Sequence, residues 1–204
     1  MENFNLTQIK ESTLIRHVEF HPVIDSTNNR AKDLFKQPNV EERPFLVLAA
    51  EQTAGRGRGS KRWWTGRGSL AMSLGLELSK ASQDRSFLTS LSPKVGRIIA
   101  ELVASRIPDG HRTEARLPND VYVNGKKIAG ILIESPTPQQ VIVGIGLNIN
   151  NRFADAPPEL QNLPITTLYD IHRKELDLTE IVIEILQRLI GPPVSKDLPA
   201  FPFQ

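Results

Sequence analysis

The dipeptide Asn124-Gly125, set between the apolar runs Val121-Tyr122-Val123 and Ile128–Glu134, does most to narrow the fold. A two-residue hairpin turn needs positive φ at both central positions, and Asn-Gly meets that need at low steric cost. The two runs are therefore predicted to be neighbouring antiparallel strands. A further run, Leu70–Leu76, alternates large residues (Leu70, Met72, Leu74, Leu76) with small ones (Ala71, Ser73, Gly75). That period of two predicts a strand with one bulky face. Phe45–Ala50 and Val141–Ile149 read as further strands.

Helices are expected between these groups. Asp25-Ser26-Thr27-Asn28 offers capping side chains ahead of Ala31, Leu34 and Phe35 at helical spacing. Leu88, Leu91, Val95, Ile98, Ile99, Leu102 and Val103 form a longer stripe that should end near Ile107–Gly110. Proline is tolerated at the first helical position, so Pro93 is predicted there with Ser92 as the cap. Asp177 is expected to cap a last helix with Glu180 as capping-box partner, its face Leu178, Ile181, Val182, Ile185, Leu186 and Leu189. Four prolines after Gly191 argue against regular structure there. The pattern predicts an α+β fold, a mixed, largely antiparallel sheet with helices packed on it. Residues 1–16 read as a leader or edge element, 17–190 as one domain and 191–204 as a proline-rich tail.

The absence of cysteine excludes disulfides, thiolate zinc sites and a cysteine nucleophile. A net charge of +2 is too small to make the whole chain a polyanion binder. The polar N-terminus shows no secretory signal, and no apolar run is long enough for a membrane span, so a soluble cytoplasmic protein is expected. His17 and His21 are four apart, a spacing that suits a metal on a helix, but no third ligand is evident.

Between two of the predicted strands lies Glu51–Ser69, EQTAGRGRGSKRWWTGRGS. Its glycines let backbone approach a ligand closely, and consecutive N–H groups can form an anion-binding concavity. Arg56, Arg58, Lys61, Arg62 and Arg67 add positive charge, with no acid between Glu51 and Glu77. Forked arginine donors match phosphate or carboxylate. Trp63 and Trp64 could cover a ring. The segment is neither a Walker A motif nor a dinucleotide fingerprint. On composition alone, a solvated Arg/Gly loop that touches RNA explains it equally well.

Four blocks in order carry a resemblance. They are Asp25-Ser26-Thr27-Asn28; Glu51-Gln52-Thr53-Ala54-Gly55-Arg56-Gly57-Arg58 followed by Trp63; Leu117-Pro118-Asn119-Asp120 with Lys127-Ile128-Ala129-Gly130-Ile131-Leu132-Ile133-Glu134; and Val143-Gly144-Ile145-Gly146-Leu147-Asn148. The chain resembles the biotin–protein ligases, also called biotin–[acetyl-CoA carboxylase] ligases, from about Ile24 to Asn150. Leu117 stands where that family usually has tryptophan, and Arg116 where lysine is common. The family's small SH3-like C-terminal domain and the DNA-binding domain of some members are expected to be missing.

The resemblance implies two steps. Biotin and ATP, with Mg²⁺, give biotinyl-5′-AMP and pyrophosphate; biotin then passes to a lysine of a biotin carboxyl carrier domain. Lys127 and Arg58 are implied as catalytic groups that offset anion repulsion. Ser26, Thr27, Asn28, Gln52, Gly55, Arg56, Gly57, Gly130 and Ile131 are implied for biotin. Arg58, Trp63, Asn119, Asp120, Lys127 and Asn148 are implied for ATP, with Asp120 the candidate Mg²⁺ ligand. A homodimer is compatible with this reading. The rivals are a lipoate ligase or octanoyltransferase of the same fold, whose R-R-x-S-G-G-G loop this sequence lacks, and a non-catalytic binder of biotin or biotinyl-AMP.

Overall fold

The computed structural model describes residues 4–37, 43–78 and 85–193. At its centre is a seven-stranded sheet in the order β1-β2-β3-β7-β6-β5-β4. The strands are β1 (His17–Ile24), β2 (Phe45–Gln52), β3 (Leu70–Glu77), β4 (Thr113–Arg116), β5 (Asp120–Val123), β6 (Lys126–Thr137) and β7 (Gln140–Leu147). β1 and β2 run parallel; every other neighbouring pair is antiparallel. The helices are α1 (Leu6–Ser12), α2 (Thr27–Phe35), α3 (Arg85–Ala104), α4 (Pro158–Gln161), α5 (Leu168–His172) and α6 (Leu178–Ile190). The predicted mixed, largely antiparallel sheet with helices packed on it is therefore the fold that forms. No helix among the described residues is long and apolar enough to cross a membrane.

Strand alternation divides the sheet into two unlike faces. Leu70, Met72, Leu74 and Leu76 of β3 and Val141, Val143, Ile145 and Leu147 of β7 join the main core, with α3 and α6. Of the residues between them, Ala71, Ser73, Gly75, Gly144 and Gly146 are small and Ile142 is large, and this set lies on the face covered by α2. There Gly75 meets the Phe45 ring so closely that a Cβ would lie 2.2 Å from it. A second, smaller cluster of Ala31, Leu34, Phe35, Phe45, Val47 and Ile142 fixes α2 on that face. Cross-strand neighbours Ala71, Gly146, Gly130 and Asp120 form one row of this face, and Ser73, Gly144 and Leu132 the next. The row of small residues leaves a floor instead of a second full core.

The hairpin between β5 and β6 turns as predicted, with φ of 48° at Asn124 and 77° at Gly125. The ladder then slips: Val121 pairs Ala129, but Tyr122 pairs Lys127, so Ile128 is an extra residue. In a regular strand Lys127 and Gly130, three apart, would face opposite sides. One bulged residue reverses that parity and brings both to the same face. Ile128 and Ala129 are then both buried in the main core.

Four expectations need correction or completion. Leu6–Ser12 forms α1, and Phe4, Ile9 and Ile15 belong to the main core, so the packing runs through the boundary drawn at residue 16. Pro93 lies well inside α3, not at its start. Burial of Leu91, Val95, Ile99, Leu102 and Val103 outweighs the one backbone bond a proline cannot donate. Ser92, predicted as the cap, donates its hydroxyl to the Pro118 carbonyl instead. His17 and His21 lie on edge strand β1, not a helix, and both face Glu19. The proline-rich tail falls outside the described residues from residue 194.

Candidate active site

The loop Glu51–Ser69 folds back on itself over the small-residue floor. Trp63 N–H donates to Gly55 O at 2.9 Å and Gly57 N–H to Lys61 O at 2.8 Å. Gly55 is required here because a Cβ would sit 2.4 Å from the Trp63 carbonyl. The fold-back lays the Trp63 indole flat on Gly130 and Gly146; a Cβ on Gly146 would come within 2.4 Å of the ring. Beside this indole is a cavity of about 350 Å³ between loop, sheet and the N-terminus of α2.

One end of the cavity is polar and wired together. Gln52 Oε1 accepts from Thr27 N–H at 2.9 Å, and Gln52 Nε2 donates to Thr65 Oγ1 at 2.9 Å. Gln52 thereby caps α2, and Ser26, the residue at the N-cap position, makes no capping bond with its side chain. The Asn28 Nδ2 faces two acceptors, Glu134 Oε2 at 2.7 Å and Leu132 O at 3.4 Å. Its Oδ1 therefore faces Ser73, which donates at 2.6 Å and lies 2.8 Å from Thr27 Oγ1. Ser73, fully buried, was visible in the sequence only as a small residue on an alternating strand.

The other end carries the cations. Lys127 Nζ lies 2.7 Å from Asp120 Oδ1 and 5.6 Å from the centre of a Trp63 ring. The Asp120 contact is a close ion pair without hydrogen-bond alignment, since Oδ1 is buried with no hydrogen-bond partner. Lys127 is fixed by its backbone as well: its N–H donates to Pro164 O at 2.6 Å and its carbonyl accepts from Thr166 N–H at 2.9 Å. Arg58 lines the same cavity, is exposed, and makes no ion pair among the described residues. Arg56 also lines it, but its guanidinium is committed to Glu134 at 2.6 and 3.1 Å.

A second cavity, of about 530 Å³, adjoins the first and shares Lys61, Arg62, Trp63, Asp120 and Lys127 with it. Trp64, Leu160, Leu163 and Ile165 make it largely apolar. The segment Leu163–Thr166 closes one side while bracing Lys127, a role no motif in the sequence advertised.

A family described as the biotin/lipoate A/B protein ligase family matches residues 20–148, well over half of the chain. The chain belongs to this family. The bifunctional ligase/repressor BirA of Bacillus subtilis (strain 168) is 33% identical over 183 residues, 87% of this chain and 54% of that protein. The biotin–[acetyl-CoA-carboxylase] ligase of Mycobacterium tuberculosis is 31% identical over 71% of this chain and 52% of its own length. The biotin protein ligase from Aquifex aeolicus, solved in complex with biotin and ATP, superimposes with a TM-score of 0.64 at 30% identity, covering 86% of this chain and 69% of that one. The chain thus spans about half the length of the curated relatives it matches.

The four family blocks converge in space. Ser26, Thr27, Asn28, Gln52, Arg56, Gly57, Arg58, Trp63, Asn119, Asp120, Lys127, Gly130 and Ile131 all line the first cavity. Gly55 does not line it; it supports the loop from behind. Asn148 borders the second cavity only, with Nδ2 donating to Thr166 O and Oδ1 accepting from Asn151. Asn119 donates to Ile131 O at 3.0 Å and so anchors the turn before β5. Among the described residues no group of three or more His, Asp or Glu side chains could hold a metal.

Proposed function

We propose that this chain is the catalytic part of a biotin–protein ligase, which joins biotin to AMP and passes it to a carrier lysine. One observation carries the reading: Lys127 lies at the junction of two adjoining cavities, with Arg58 on the wall of the first. A carboxylate and a triphosphate repel each other, and positive charge must be strongest where their charges meet in the transition state. An ammonium shared by both cavities can touch the carboxylate of one occupant and the α-phosphate of the other. The relatives' names speak of biotin, and the Aquifex protein was solved with biotin and ATP.

Biotin fits the first cavity with its ureido head among Ser26, Thr27, Asn28 and Gln52, a set rich in both donors and acceptors and backed by Ser73. Its thiophane ring lies over the glycine floor, and its carboxylate extends toward Arg58 and Lys127. The purine fits the more apolar second cavity beside Trp63, Trp64 and Ile165. A carboxylate oxygen attacks the α-phosphorus and pyrophosphate departs. The carrier lysine's neutral amine then attacks the acyl carbon and AMP leaves. The loop keeps water from the mixed anhydride between the two steps.

Magnesium enters as part of the nucleotide substrate. Asp120, the one carboxylate at the cavity junction among the described residues, is already paired with Lys127, and that donor set does not suit a resident hard cation.

Purified chain, biotin, MgATP and a biotin carboxyl carrier domain should yield a carrier heavier by one biotinyl group in mass spectrometry, with pyrophosphate released. Biotin binding without pyrophosphate release would reduce the protein to a binder. Transfer of lipoate in preference to biotin would move it to the other branch of the family.

A further inference from the structure

Glu134 closes the sequence block that begins at Lys127, yet the two-step reaction gives it no task. Its carboxylate, only 18% exposed, receives Lys32 Nζ at 2.8 Å, Asn28 Nδ2 at 2.7 Å and the Arg56 fork at 2.6 and 3.1 Å. Burial pushes its pKa up, but the bonds from Lys32, Asn28 and Arg56 outweigh this and hold it below the ordinary glutamate value. It is an anion at neutral pH, enclosed by donors.

Glu134 also completes a chain of contacts. From Thr65, near the end of the loop, hydrogen bonds run through Gln52, Thr27, Ser73 and Asn28 to Glu134, and from there back to the loop at Arg56. The loop is therefore tied at both ends to one buried network that also forms the polar end of the cavity. We propose that Glu134 is a positioning residue that pins Arg56 as a strut, holding the loop across the cavity and leaving Arg58, not Arg56, to meet the substrate's anion. The Glu134 fork holds both Nη ends of Arg56 and matches its charge with a carboxylate, which fixes where the guanidinium points. Arg58, two residues on and without an ion pair among the described residues, lines the same cavity. The ligand in this inference rests on the biotin reading; the strut itself does not.

The test has an arm for each. Without ligand, trypsin should cut Glu134→Gln after Arg56 to Arg62 about tenfold faster than the wild type, because glutamine keeps the Asn28 bond but loses the charge that grips Arg56. In the biotin arm, KM for biotin should rise about tenfold, with a smaller fall in kcat. Arg56→Gln, at a half-exposed position and safe for folding, should reproduce both effects. The double variant should be no worse than the poorer single one, because both remove the same pair. Unchanged cleavage in both variants, or effects that multiply in the double variant, would overturn the strut. Calorimetry on the wild type separates the failures: no biotin binding there sinks the ligase reading, while the cleavage arm still decides the role of Glu134.

Discussion

Replacing Lys127 by alanine is the perturbation with the largest expected effect on chemistry. Lys127 is 26% exposed on its side chain, so its charge acts through a medium between interior and water. At an effective dielectric of ~20, two unit charges 4 Å apart interact by about 4 kcal/mol, and at ~40 by about 2 kcal/mol. Were that interaction present mainly in the transition state, its loss would slow adenylation by roughly 30- to 10³-fold. The structure adds a second contribution. Without its ammonium, Asp120 becomes an uncompensated carboxylate, buried at Oδ1, at the junction where two anionic substrates must meet. Lys127→Ala combined with Asp120→Asn should therefore recover about tenfold of the loss. Biotin-dependent exchange of labelled pyrophosphate into ATP, at saturating substrates, reads the adenylation step alone. A Lys127→Ala exchange rate within threefold of the wild type would refute the electrostatic role. A double variant no faster than the single would refute the repulsion.

Other expectations concern stability and geometry. Glu19 is held at a pKa of about 2, against an ordinary value of 4.5, chiefly by its hydrogen bonds to Arg30 at 2.7 Å with further bonds to His21 and His17. Because the folded value is depressed, its stabilisation is complete above pH 4.5 and lost as pH falls toward 2. Urea midpoints over that window should fall by the equivalent of about 3 kcal/mol, and less steeply in Glu19→Gln. Gly144→Ala would place a Cβ 2.3 Å from Asn28 Oδ1, so biotin affinity by calorimetry should drop at least tenfold while α2 stays folded by circular dichroism. Asp177 accepts from Thr179 N–H at 2.7 Å and Glu180 N–H at 3.3 Å, and Asp177→Ala should cost about 1 kcal/mol in chemical denaturation with activity unchanged.

What the sequence could disclose was local. The Asn124-Gly125 turn, the β3 strand and the Asp177 cap of α6 depend on residues a few positions apart and form as expected, although only the Asp177 half of the capping box is made. β1 escaped notice because HVEFHPVI mixes charge, histidine and proline without a clean period. It is a strand because it is at an edge, where one side needs no ladder partner and Pro22 is tolerated. α3 continues through Pro93 because tertiary burial of its apolar stripe outweighs the local cost of a proline.

The site divides along the same line. Its blocks were legible as patterns, but the reason they face one another was not. That reason is a single slipped residue: the Ile128 bulge is invisible in a run of apolar letters, yet without it Lys127 would turn to the opposite side of the sheet from Gly130. The large-and-small alternation of β3 carries a second message beside its core face. The bulky residues announced a core, while Ser73, Gly144 and Gly146 between them marked the face kept thin for a ligand. In a sheet covered by helices on both sides, strand residues too small to fill their own layer show where something other than protein is meant to fill it.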